Sequence, residues 1–310
     1  MGSTLRRPAI AAAVFVALVG TTRAQSDVTQ AQETFKSSTD LVTIQASVRD
    51  ARGRVVRGLT PSDFEVRDNG QLRPILELRS DRRSPITLAI LVDMSGSMGG
   101  AKIAMARHAF DSVLSQLRPG EDEVALFTFD STVHQRHDFT SDPALLKDGL
   151  AEFNPFGSTS LLDATAATAR RLADRSATHR AIVVLTDGID TSSTMTASEV
   201  SGIASSIDVP VFIVATVPSV DQRAMMESSE HGARENAVDL RDLANWTGGH
   251  LVFATTSVET ITVTANIVDE LRQQYILAIE AAREREWRRL DVRVKQRASK
   301  VKARSGYFGG

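Results

Sequence analysis

The 310-residue chain has no cysteine. That excludes disulfides, thiolate metal sites, a nucleophilic cysteine and a lipidated cysteine at a processing site. Neither sign of charge is in marked excess, the formal net charge being -2, which argues against a general nucleic-acid binder. Tryptophan is scarce, and Trp246 and Trp287 read as packing residues. No Gly-x-Ser-x-Gly elbow, phosphate-binding Gly-x-x-x-x-Gly-Lys loop or Gly-x-Gly-x-x-Gly fingerprint stands at a strand end, so the common signatures of hydrolases and nucleotide enzymes are missing.

Long apolar runs are also lacking, apart from Ala9 to Gly20. That run follows Arg6-Arg7 and precedes Thr22-Arg23-Ala24, a small-x-small site, so residues 1–24 are expected to be a Sec-type signal peptide cleaved after Ala24. The run is short for a bilayer span, and an uncleaved anchor is the lesser alternative. Cleavage removes three arginines and no acid, taking the formal charge to about -5. The expectation is a secreted or periplasmic protein with no integral membrane span after processing. Residues 25–40 are polar and rich in small side chains, and read as a disordered leader.

What the sequence does have is a run of strand and helix signals around one stretch. Ile86 to Val92, apolar except for Thr87, reads as a strand buried on both faces, and it ends in Asp93-x-Ser95-x-Ser97. Helices are expected over Ala101 to Leu117, from Asp142-Pro143 to about Phe153, Leu161 to Arg175, Ala197 to Ile207, Val238 to Trp246 and Val258 to Leu271. Strands are expected over Glu123 to Phe129, Val133 to Phe139, Ala181 to Leu185, Val211 to Ala215 and His250 to Ala254, with Gln222 to Asn236 a polar surface excursion. Such alternation implies a doubly wound, mainly parallel sheet with helices on both faces.

The flanks differ. Leu41 to Val48, Phe64 to Arg67, Gln71 to Leu78, Gln274 to Glu280, Leu290 to Gln296 and Lys300 to Phe308 read as strands with one wet face. The economical expectation is that residues 41–84 and 273–310 pair into a small discontinuous β-sandwich-like domain, with an α/β domain at 85–272 inserted in it. In the basic tail from Arg283 to Arg304 the charges alternate with apolar residues, which fits a solvated strand face.

Three oxygen-bearing stretches converge on the carboxyl edge of such a sheet: Asp93, Ser95 and Ser97; Thr159 within Gly157 to Leu161; and Asp187 within Thr186-Asp187-Gly188. Two carboxylates and three hydroxyls suit a hard divalent cation, Mg2+ or else Mn2+ or Ca2+. An incoming carboxylate would complete its coordination. Asp-x-Ser-x-Ser alone could simply cap the next helix. His134 and His137 suggest a metal pair only weakly, since their spacing puts them on opposite strand faces. Asp130, Asp163 and Asp190 read as capping or solvated residues near these loops.

Asp93-x-Ser95-x-Ser97 with Thr159 and Asp187 resembles the metal-ion-dependent adhesion site of von Willebrand factor type A domains, over about residues 85–270. The resemblance implies a Rossmann-like fold, direct metal contacts from Ser95, Ser97 and Thr159, and direct or water-mediated contacts from Asp93 and Asp187. The flanking Gly58-Leu59-Thr60-x-x-Asp63-Phe64-Glu65-Val66 and Val301 to Phe308 are similar to secreted type A-related proteins common in Acidobacteria. The function implied is an extracytoplasmic protein-binding module, not an enzyme, whose cation is capped by a partner's Asp or Glu. The alternatives are a scaffold of an envelope or secretion assembly and, further off, a magnesium-dependent hydrolase.

Overall fold

The computed structural model describes residues 41–80, 83–151, 155–177, 179–218, 231–295 and 299–309, with side chains between 231 and 295 described from residue 239 onward. The signal peptide and leader expected over 1–40, the end of the helix expected near Phe153, residues 222–230 of the polar excursion and Gln296 lie outside the described residues.

The central strand is β5 (Ile86–Asp93), buried at every position. In chain order it is preceded by β1 (Leu41–Arg49), β2 (Phe64–Asp68), β3 (Gln71–Arg73) and β4 (Glu77–Arg79). It is followed by α1 (Ala101–Gln116), β6 (Glu123–Phe129), β7 (Val133–Thr140), α2 (Leu161–Ala173), β8 (His179–Thr186), α3 (Ala197–Ser206) and β9 (Val211–Thr216). The remaining elements are α4 (His231–Thr247), β10 (Leu251–Ala254), α5 (Ser257–Leu271), β11 (Tyr275–Glu280), β12 (Trp287–Val294), β13 (Lys300–Ala303) and β14 (Gly306–Phe308).

Six strands form one sheet in the order β10-β9-β8-β5-β6-β7. All neighbours are parallel except β7, which runs antiparallel to β6. Period-two geometry splits β5 between two cores. Leu88, Ile90 and Val92 pack with α1 and α5, while Ala89 and Leu91 pack with α2, α3 and α4. Helices thus cover both faces, as the unbroken apolar strands require.

The flanking strands form two four-stranded antiparallel sheets, β13-β1-β11-β4 and β14-β12-β2-β3. Strands before β5 pair with strands after α5, and Ile44, Val66, Leu277, Ile279 and Tyr307 share a third core between the two sheets. From residue 41 onward the described residues make one compact unit. Polar groups line the seam between the α/β layers and these sheets. Ser47 Oγ donates to Glu270 Oε1 at 2.7 Å, Gln45 Nε2 to Asp208 O at 2.6 Å, and the buried Arg304 guanidinium to Thr43 O and Ser205 O.

Four expectations are corrected. Asp142 does cap a helical turn, accepting from Ala144 N at 3.0 Å, but the turn is a 3-10 helix over Pro143–Leu146. An α-helix cannot continue through Asp148, whose φ is +64°, and a Cβ at Gly149 would meet Leu126 Cδ2 at 2.7 Å and Leu146 O at 2.9 Å. The expected strand Gln71 to Leu78 is two short strands separated at Pro74, a residue with no amide hydrogen for a ladder. Likewise Lys300 to Phe308 is two strands in different sheets, the corner being made by Arg304 and Ser305. The helix before β10 begins at His231, so residues 231–236 of the expected excursion are helical.

Candidate metal centre

Register sets the site. Val92 stands opposite Leu185 of β8, and Asp93 opposite Phe129 of β6, so the last residues of β5 and β8 lie side by side on the sheet's carboxyl edge. Asp93 is fully buried. Its Oδ1 accepts from Ser95 N at 2.8 Å and its Oδ2 from Thr186 Oγ1 at 2.6 Å. Beyond it the chain makes one 3-10 turn over Gly96–Met98, in which Met98 N donates to Ser95 O at 3.0 Å. Met98 is fully buried in the core and pins the loop, while Ser95 Oγ and Ser97 Oγ sit 3.1 Å apart. The three donors of the first loop are therefore joined directly.

Asp187, 2% exposed, follows Thr186 and is brought beside Asp93 by the strand register. Its Oδ2 lies 2.9 Å from Lys102 Nζ, and its Oδ1 accepts a longer 3.4 Å bond from Ile189 N. Thr159, also 2% exposed, belongs to the neighbouring loop. That loop is tied to the first by Gly96 N donating to Gly157 O at 3.0 Å and Phe156 N to Met94 O at 2.7 Å. The approach is close enough that a Cβ at Gly96 would meet Gly157 O at 3.4 Å, and Gly157 itself has φ of +88°. Thr159 N donates to Thr191 Oγ1 at 2.9 Å, and Thr159 O accepts from both Thr191 N and Ser192 N at 2.9 Å. Backbone ties, rather than a contact between the five side chains, place Thr159.

The Asp93 carboxyl is raised to about 6: burial is the largest cause, hydrogen bonds from Ser95 and Thr186 work against it, and the neighbouring Asp187 charge adds to the rise. Among the described residues no group of three or more His, Cys, Asp or Glu is placed to hold a metal. Any ion here must therefore rely on hydroxyl donors as well as the two carboxylates.

The nearby acids do other work. Asp190 Oδ2 accepts from Leu162 N at 3.0 Å and so caps α2 from another loop. Asp163 accepts from Thr194 N and Met195 N at 3.0 and 2.9 Å, and Asp130 Oδ1 accepts from Thr132 N at 2.8 Å in a turn. His134 and His137 lie on β7, His134 Nε2 against Thr132 Oγ1 and His137 Nδ1 against Asp138 O. Sequence reasoning missed Lys102. Its signal was a base in the first turn of a helix, where acids are favoured.

Residues 88–190 match the von Willebrand factor type A domain family. No curated protein matches the chain. Solved structures similar to it include proximal thread matrix protein 1 from the mussel byssus with a zinc-occupied MIDAS motif, 12% identical, covering 66% of this chain and 49% of that one, with a TM-score of 0.50. BatB from Bacteroides thetaiotaomicron is 18% identical over 61% of this chain and 100% of that one, with a TM-score of 0.47. The vWF domain of the type V pili tip protein Mfa5 from Porphyromonas gingivalis is 13% identical over 61% and 97%, also at 0.47. At these identities the likeness concerns the fold, a type A, Rossmann-like arrangement of a six-stranded, mostly parallel sheet flanked by helices. The matched segment runs from β5 to Asp190 and so includes all five candidate positions.

Proposed function

We propose that the chain is an extracytoplasmic, metal-ion-dependent protein-binding module and not an enzyme. Asp93, Ser95, Ser97, Thr159 and Asp187 would hold a divalent cation, Mg2+ with Mn2+ or Ca2+ as substitutes. The observation that carries this reading is charge: two buried carboxylates share one edge of the sheet, and among the described residues one ammonium, that of Lys102, meets Asp187. Oxygen donors of this kind fit a hard cation. Bound there, the ion would supply a Lewis-acidic position for an aspartate or glutamate side chain of a partner protein. The chain's own part is to hold the donors rigidly: Met98 anchors the first loop, Thr186 orients Asp93, and Thr191 fixes Thr159.

The charge pattern of residues 1–24 supports export by a Sec-type signal peptide, and no helix among the described residues is long and apolar enough to cross a membrane. The flanking sheets, 41–84 and 273–310, would be a domain into which 85–272 is inserted. Deleting the residues after Gln273 should then destabilise 41–80.

Calorimetric titration with Mg2+ and Mn2+, combined with pull-down from envelope extract with Mg2+ or with chelator, tests the function. The expected result is metal binding and partner capture that both vanish in Asp93→Ala and Ser95→Ala while far-UV circular dichroism is unchanged. Capture that ignores chelator would count against the module. Turnover of a generic phosphoester that requires Asp93 would favour a hydrolase, and loss of melting temperature on chelation with no ligand found would favour a scaffold.

A further inference from the structure

Lys102 is the second residue of α1, and its side chain is 14% exposed while the Asp187 side chain it meets is fully buried. The 2.9 Å contact from Nζ to Asp187 Oδ2 is stronger than anything else Asp187 receives, since its other oxygen has only the 3.4 Å bond from Ile189 N. Asp93, by contrast, has both oxygens occupied by neutral donors, Ser95 N and Thr186 Oγ1. Among the described residues Lys102 thus provides the cationic contact to Asp187, while Asp93 has none.

A buried carboxylate without a cation is costly, and two of them side by side more so. An ammonium on a four-carbon stem is suited to the task of a removable partner, because it carries three donors, rotates freely and can return to water without unfolding its helix. The stem also keeps the ammonium at a high effective concentration beside Asp187, so any free cation must compete with it. The position of Lys102 in the sequence fits this role and not a helical one. Bases in a first helical turn work against the macrodipole, and the contact with Asp187 offsets that cost.

We propose that Lys102 is a resident cation of the site, holding Asp187 until a divalent ion takes its place, and thereby setting the metal concentration at which the site loads. The proposal rests on the reading of the five oxygen donors as a divalent-cation centre. Lys102 occupies a ligand position, so it lowers apparent metal affinity by the fraction of time it leaves that position free. It also spares the loops from carboxylate repulsion at low metal.

Full-length protein and its Lys102→Met and Lys102→Arg variants are titrated with MnCl2 and MgCl2 by calorimetry, and each is melted in chelator and in saturating metal. Lys102→Met should bind Mn2+ about tenfold more tightly than wild type. It should melt lower in chelator and regain the wild-type melting temperature when metal saturates. Lys102→Arg, which keeps the charge, should stay close to wild type in affinity. In wild-type protein labelled with 13C-lysine, the Lys102 Cε signal should move toward that of a free lysine as Mg2+ saturates. This readout needs no variant and stands even if Lys102→Met fails to fold. Unchanged or weaker metal binding in Lys102→Met, or a Lys102 signal that ignores Mg2+, overturns the proposal while leaving the metal centre intact. No metal binding by either protein overturns the metal centre, and this proposal with it.

Discussion

Asp122→Asn tests how the amino edge of the main sheet is held. Asp122 is fully buried, and its Oδ1 accepts from Ile86 N, the first residue of β5, at 3.1 Å. Its Oδ2 accepts from Arg118 N at 2.7 Å and from Arg272 Nη2 at 2.5 Å, while Arg118 Nη2 and Arg272 Nη1 reach Oδ1 at 3.2 and 3.1 Å. One carboxylate therefore ties the central strand to the ends of α1 and α5. Burial alone would raise its pKa, but the Arg272 bond, then the Arg118 and Ile86 amides and the Arg118 guanidinium, outweigh it and bring it to about 2. The folded value lies below the unfolded one, so the contribution is fully present above the unfolded pKa and is lost as pH falls through the folded pKa. A shift of this size corresponds to about 2 kcal/mol at pH 7, with about half remaining at pH 3. Asparagine keeps the shape, loses the charge and points an amide at donors. Urea denaturation should show Asp122→Asn destabilised by about 2 kcal/mol at pH 7, and by about 1 kcal/mol at pH 3. A loss under about 0.5 kcal/mol at pH 7, or one that does not shrink on acidification, would refute the reasoning.

Three further outcomes are expected. Arg288→Met leaves Asp68, fully buried, with Arg73 and Tyr307 as its remaining side-chain partners among the described residues. Denaturant titration should show a loss of about 3 kcal/mol, partly recovered in the double variant with Asp68→Asn. His250 is held down at about 4 by burial and then by Lys302, with Glu270 opposing. Its folded pKa is below its unfolded one, so it costs stability as pH falls from 6.5 toward 4, and His250→Gln should flatten the melting temperature across that window. Gly249→Ala would put a Cβ 2.0 Å from Val211 O in the adjoining strand, so the variant should lose about 3 kcal/mol or fail to accumulate.

The central architecture is legible because buried parallel strands write themselves as unbroken apolar runs, and Ile86 to Val92 and Val211 to Ala215 do so. The polar opening of α4 has no apolar stripe to reveal it, and its first turns are seen only in three dimensions. Asp142-Pro143 carries a sound helix-start signal, yet the positive φ at Asp148 is set by packing further along, beyond what a cap can announce. The break at residues 304–305 was equally hidden. Val301 to Arg304 alternates like one continuing strand, but Arg304 reaches across to Ser205 O and Thr43 O, and Gly306 to Phe308 pair with β12 in the second sheet, where a Cβ at Gly306 would lie 2.6 Å from Arg288 O. As for the site, the five oxygen-bearing positions could be named from the motif, whereas the partners that orient them, Thr186, Thr191 and Lys102, needed the fold.

Asp122 and Asp93 show why burial by itself says little about a carboxylate's purpose. Both are fully buried at opposite ends of the same sheet, and burial raises the pKa of each. At the amino edge two guanidinium groups and two amides converge on Asp122, its charge is overcompensated, and its pKa falls to about 2. At the carboxyl edge Asp93 receives one amide and one hydroxyl with a second acid beside it, and its pKa rises to about 6. A fully compensated carboxylate makes the first end a brace. The second end stores an electrostatic deficit that a single lysine only partly relieves, which is an unfavourable way to build a brace and a favourable way to attract a divalent ion. On the proposed reading the two ends of β5 divide stability from binding, and substitutions at Asp122 should change melting without touching metal affinity.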